Sequence, residues 1–163
     1  MTSGLLRWNQ GRTTIDALID QKRLVLVEPN RDHAMAMIEQ ARTHLTSARS
    51  LRVADPIGAF NLAYDAAKKS LAAILANQGI RAAGGEGGHA VLLQVALAQL
   101  DPPKGAQLRE FTWMRQLRND PSYPSPETPV ATADDVTDAL PAAEAILGQD
   151  VVLYGARGPR PTR

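Results

Sequence analysis

Apolar residues recur at intervals of three and four along most of the chain, the spacing of one face of an α-helix. Leu5, Trp8, Ile15 and Ile19, with Arg12 between them, predict a short amphipathic helix at the start. Leu24-Val25-Leu26-Val27 is a different pattern, a four-residue apolar run ended by Glu28-Pro29, and predicts an extended connector or a lone edge strand. Asn30 then has the chemistry of an N-cap, and Ala34, Met37, Ile38, Ala41, Leu45, Ala48 and Leu51 fall on one helical stripe. Asp55-Pro56 repeats the start signal, a capping carboxylate followed by proline at the first helical position. Phe60, Ala63, Tyr64, Ala67, Leu71, Ile74 and Leu75 trace the stripe of that second long helix, and Gly79 is placed to end it in a left-handed cap.

Beyond Gly79 the pattern is broken by Gly84-Gly85-Glu86-Gly87-Gly88, where backbone entropy argues for a loop over helix or strand. A helix is predicted from about His89 to Leu100, stopped by Asp101-Pro102-Pro103, and another from about Gly105 to Asp120, stopped by Pro121. Thr132-Ala133-Asp134-Asp135 resembles a capping box that opens a last helix through Val136, Ala139, Leu140, Ala143 and Ile146, with Pro141 expected to kink it. From Val151 onward Gly, Pro and Arg dominate, a composition that cannot pack and predicts a flexible tail. The fold expected is all-α: an up-and-down bundle of four to five helices with a short N-terminal helical extension. It divides into residues 1–29 as extension and connector, 30–148 as the bundle and 149–163 as the tail.

Composition strengthens the helical reading, since 44% of residues are apolar but only 4% aromatic, a balance unlike that of a sheet protein. The chain of 163 residues has no Cys, which removes disulfides, thiolate metal sites and a cysteine nucleophile, and suits a cytoplasmic setting. No segment approaches the ~18 apolar residues of a membrane span. Eighteen basic residues face 17 acidic ones, so the net charge of +1 gives no global attraction to nucleic acid, and any RNA contact must come from a local patch. His33 and His44 lie eleven residues apart with no third ligand at a metal spacing, so they read as surface residues, and neither metal nor cofactor is expected.

Three stretches, in this order, resemble the HEPN family: Ala63-Tyr64-Asp65-Ala66-Ala67-Lys68-Lys69-Ser70-Leu71, the glycine loop leading into His89, and Arg118-Asn119 before Tyr123-Pro124. The resemblance spans roughly Asn30 to Leu147. It implies an all-helical, often dimeric bundle of the kind found in prokaryotic toxins, RNA-cutting defence proteins and partners of minimal nucleotidyltransferases. Many such proteins are metal-independent ribonucleases whose hallmark is an Arg, usually a polar residue after it, three further residues and a His. Arg118 and Asn119 match that hallmark, but Tyr123 stands where the His would be.

That departure has a chemical consequence. Metal-independent RNA cleavage needs a base for the ribose 2′-OH and a cation to stabilise charge at the phosphate. Arg118 can be the cation. A tyrosine with a pKa of about 10 is a phenolate about once in a thousand molecules at neutral pH, whereas a histidine near about 6.5 is largely available as a base. His89 is the only histidine beside the glycine loop, and it is read either as a replacement base or as part of the start of its helix. Leu108, Phe111, Met114, Arg115 and Arg118 share one arc of their helix, with Trp113 and Leu117 nearly opposite, so either one face suits the core and the other a partner, or the helix is buried in the bundle and its arginines snorkel to solvent. Asp65 is read as orienting Arg118 or as pairing with Lys69 one turn on, and the resemblance puts Tyr64, Asp65 and Lys68 beside the same cleft.

The sequence therefore supports a module that binds RNA, nucleotide or a protein partner around Arg118, with impaired nuclease chemistry. Three alternatives stay open: an active metal-independent endoribonuclease of toxin or defence type using Tyr123 or His89, the helical partner of a minimal nucleotidyltransferase in a toxin–antitoxin pair, and a scaffold whose cleft does nothing. A homodimer is expected in each case, with catalytic candidates Arg118, Asn119 and Tyr123, and binding candidates Tyr64, Asp65, Lys68, His89 and Arg115.

Overall fold

The computed structural model describes residues 9–84, 88–118 and 130–148. Within them the chain forms α1 (Arg12–Asp20), β1 (Leu24–Leu26), α2 (Arg31–Leu51), α3 (Pro56–Gln78), β2 (Ile80–Ala82), α4 (Gly88–Leu100), α5 (Gly105–Arg118) and α6 (Ala133–Leu147). The helical bundle expected from the apolar periodicity is present. Leu5, Trp8, Pro121 and the tail from Val151 lie outside the described residues, as does the last part of the helix expected to reach Asp120.

The helix boundaries follow from short-range chemistry. Asn30 accepts a hydrogen bond from the His33 amide through its side chain, and Asp55 does the same for the amide of Gly58, each satisfying one orphan donor of a first turn. Thr132 and Asp135 form a reciprocal capping box at the start of α6. Pro141 lies on an exposed position within α6, which continues through it to Leu147. Gly79 ends α3 with φ 76°, a conformation that favours glycine, and its amide bonds back to Ala76.

α3 is the centre of the fold, packed against α2, α4, α5 and α6. Its buried residues, among them Ala59, Phe60, Ala63, Tyr64, Ala67, Leu71 and Ile74, run round much of its circumference, as befits a helix enclosed by others. The many alanines keep this central helix slender, so that its neighbours approach its backbone closely. α2 and α3 are joined by only the four residues between Leu51 and Pro56 and pack side by side. Ile15 and Leu18 of α1 and Leu24 of β1 join the same buried cluster as the long helices. Gly11, at φ 80°, precedes α1 where a Cβ would come within 2.5 Å of the Ala98 carbonyl oxygen, so the close approach of α1 to α4 depends on its missing side chain.

One feature is absent from the helical expectation. β1 pairs antiparallel with β2, Leu24 opposite Ala82 and Leu26 opposite Ile80, with Val27 donating to Gly79 and Ala83 donating to Arg23 at the two ends. The apolar run is thus a strand with a partner, which the chain supplies immediately after the α3 cap. This tie fastens the N-terminal segment to the end of the central helix.

Candidate functional site

A buried tyrosine, Tyr64, lies where three helices of the bundle meet. Tyr64 is 1% exposed, yet its hydroxyl lies 2.7 Å from Nδ1 of His89, in the first turn of α4. Phe111 of α5 stacks on the Tyr64 ring, with centroids 5.1 Å apart and planes 13° from parallel. Two helical turns further along α5, the Arg118 guanidinium lies over the same ring, 6.0 Å from its centroid. The separation is at the outer limit of a cation–π contact, so the ring guides the exposed Arg118 more than it holds it. Three helices therefore converge on one side chain, and the spacing of Phe111 and Arg118 on one stripe makes this possible.

Charge around this tyrosine is predominantly positive. His89 is held below the usual imidazole range, first by burial and then by Lys68, Arg115 and Arg118, against a smaller opposing effect of Asp65. The Tyr64 phenol is pushed up to about 12 by burial, which outweighs the pull of Arg115 and Arg118. At neutral pH the pair is consequently a neutral imidazole and a neutral phenol among three cations. Arg115 adds a further sign of an unfilled role, because its buried Nε has no hydrogen-bond partner among the described residues. Lys68 and Asp65 lie 3.6 Å apart, both partly exposed, which leaves the ammonium only partly engaged. Arg115, Arg118, Lys68 and an imidazole N–H are all hydrogen-bond donors, and together they suit an anion with several acceptor oxygens.

A family profile described as HEPN domain matches residues 34–151. The chain belongs to the HEPN family. This is a family of ribonuclease- and toxin-associated modules. No curated protein and no solved structure matches the chain.

Within this HEPN domain the sequence-derived candidates divide clearly. Tyr64, His89, Arg115 and Arg118 come together, with Lys68 and Asp65 on the adjoining turn of α3. Asn119 and Tyr123 lie outside the described residues. Asp65 pairs with Lys68 at i, i+3, and neither Lys69 nor Arg118 forms an ion pair with it. Trp113 and Leu117, on the opposite arc, are partly buried against this chain's own core. The Trp113 ring lies 6.0 Å from that of Phe60, and its indole N–H donates to Glu110. The opposite arc of α5 is thus partly absorbed by α3, because a helix flanking a central helix buries more than a narrow stripe.

His44 was expected at the surface, but it is half-buried, and its imidazole is held below the usual range by burial and Lys69, with Asp65 opposing. A signal for this exists in the sequence. His44 falls three residues after Ala41 and four before Ala48, on the flank of the buried stripe of α2. Among the described residues no group of three or more His, Asp or Glu side chains could hold a metal ion. No helix among them is long and apolar enough to cross a membrane.

Proposed function

We propose that this HEPN domain binds the phosphate groups of RNA or a nucleotide at the cluster formed by Lys68, His89, Arg115 and Arg118, and that it binds without efficient cleavage. The observation that carries the reading is the buried Tyr64 bridge, with His89 on its hydroxyl and Arg118 over its ring. It gathers donors from α3, α4 and α5 at one place, and the carboxylate beside them among the described residues, Asp65, already faces Lys68. A chain of net charge +1 has little long-range attraction for RNA, so the affinity comes from this patch.

Binding of a labelled single-stranded RNA, followed by fluorescence anisotropy, tests the proposal. Wild-type protein should bind saturably and leave the RNA intact, and Arg118→Ala should weaken binding about tenfold, the scale of one charge-assisted contact. Unchanged affinity in Arg118→Ala together with Arg115→Ala would refute it. Metal-independent cleavage that disappears in His89→Ala would instead favour the endoribonuclease reading. Family membership adds a homodimer and a nucleotidyltransferase partner to the proposal, and light scattering on the purified chain tests the first of these.

A further inference from the structure

We infer that Tyr64 is a positioning residue that fixes His89 in the tautomer with Nδ1 bare and Nε2 protonated, so that His89 meets an anion as a hydrogen-bond donor and not as a base. The consequence for ligand binding rests on the anion-site reading above. The tautomer does not, since it follows from the hydrogen bond together with the burial of Tyr64.

A phenol has one proton to donate, and a neutral imidazole has one protonated and one bare nitrogen. Two arrangements fit the 2.7 Å contact. If Nδ1–H donated to the phenol oxygen, the Tyr64 proton would need a second acceptor, and none is found for it among the described residues. Tyr64 is 1% exposed, so water is a poor substitute and the proton would be left unsatisfied. If Tyr64 donates to Nδ1, both groups are satisfied and the imidazole proton resides on Nε2. The phenol keeps its proton at all ordinary pH, and burial together with the cations around His89 opposes a second proton on the ring, which would remove the acceptor at Nδ1. Phe111, stacked on the ring, holds the phenol at this orientation.

The chemistry that follows differs from that of a catalytic histidine. A general base must present a bare nitrogen to the proton it takes. Here the bare nitrogen is occupied by Tyr64, and the other carries hydrogen. His89 therefore completes a set of donors with Lys68, Arg115 and Arg118, all suited to phosphate oxygens.

A long-range ¹H–¹⁵N correlation spectrum of the uniformly labelled full chain, at a pH above that at which His89 protonates, reads the tautomer directly. The chain has 3 histidines, and His89→Gln assigns the signal. Wild-type protein should show Nδ1 at the far-downfield position of a bare nitrogen and Nε2 at the position of a protonated one. In Tyr64→Phe the two resonances should move toward each other as the tautomers exchange, a change that a merely structural tyrosine would not cause. A protonated Nδ1 in wild type would overturn the inference whatever the behaviour of the variant, and so would identical imidazole shifts in wild type and a folded Tyr64→Phe. Wild-type protein that shows the expected imidazole shifts but fails to bind RNA would count against the anion-site reading alone.

Discussion

At the scale of single residues, the site is built from groups whose protonation is set by where they sit. His89 and His44 both resist protonation in the folded chain, chiefly through burial. The unfolded chain takes up protons below about pH 6.5, where the folded chain does not, so their contribution to stability is present above that value. It is lost as pH falls from there through the lower folded-state values. Thermal unfolding should show a falling midpoint over this range, and His44→Gln with His89→Gln should flatten the fall. Tyr64 works in the opposite direction, with its contribution present below about pH 10 and lost as pH rises toward about 12. The gathering of Tyr64, His89 and Arg118 could not be read from spacing, because they lie on three helices and meet only through packing. The family resemblance drew attention to them as separate short motifs, and the hydrogen bond that joins two of them is a tertiary fact.

Among the secondary-structure elements, what was legible was whatever depends on neighbours in sequence. The caps at Asn30, Asp55, Gly79 and Thr132–Asp135 are each decided within four residues, and each is present. The pairing of β1 with β2 was not legible, since a three-residue strand has almost no periodicity and its partner lies far along the chain. Circular dichroism melts of cap variants test this local control. Thr132→Ala should cost about 1 kcal/mol by removing one side of the capping box. Gly79→Ala should cost more than about 1 kcal/mol, because φ 76° strains any L side chain and a Cβ there would meet the Val27 carbonyl oxygen at 2.8 Å.

For the molecule as a whole, core and site are continuous: α3 is both the axis of the bundle and the carrier of Tyr64, Asp65 and Lys68. Phe111→Ala should therefore lower stability by about 3–5 kcal/mol and disturb the Tyr64–His89 contact together, measurable by denaturant unfolding and by the imidazole resonances. Because three cations and no global field supply the attraction, the affinity for single-stranded RNA should fall with a log–log salt slope of about −2. A much steeper slope would implicate basic residues beyond Lys68, Arg115 and Arg118. The most direct test of the anion site is a titration of short single-stranded RNA into the ¹⁵N-labelled chain, followed residue by residue. Resonances of Lys68, His89, Arg115 and Arg118 should shift first and saturate together. Saturable binding that leaves these four unmoved would contradict the assignment of the site.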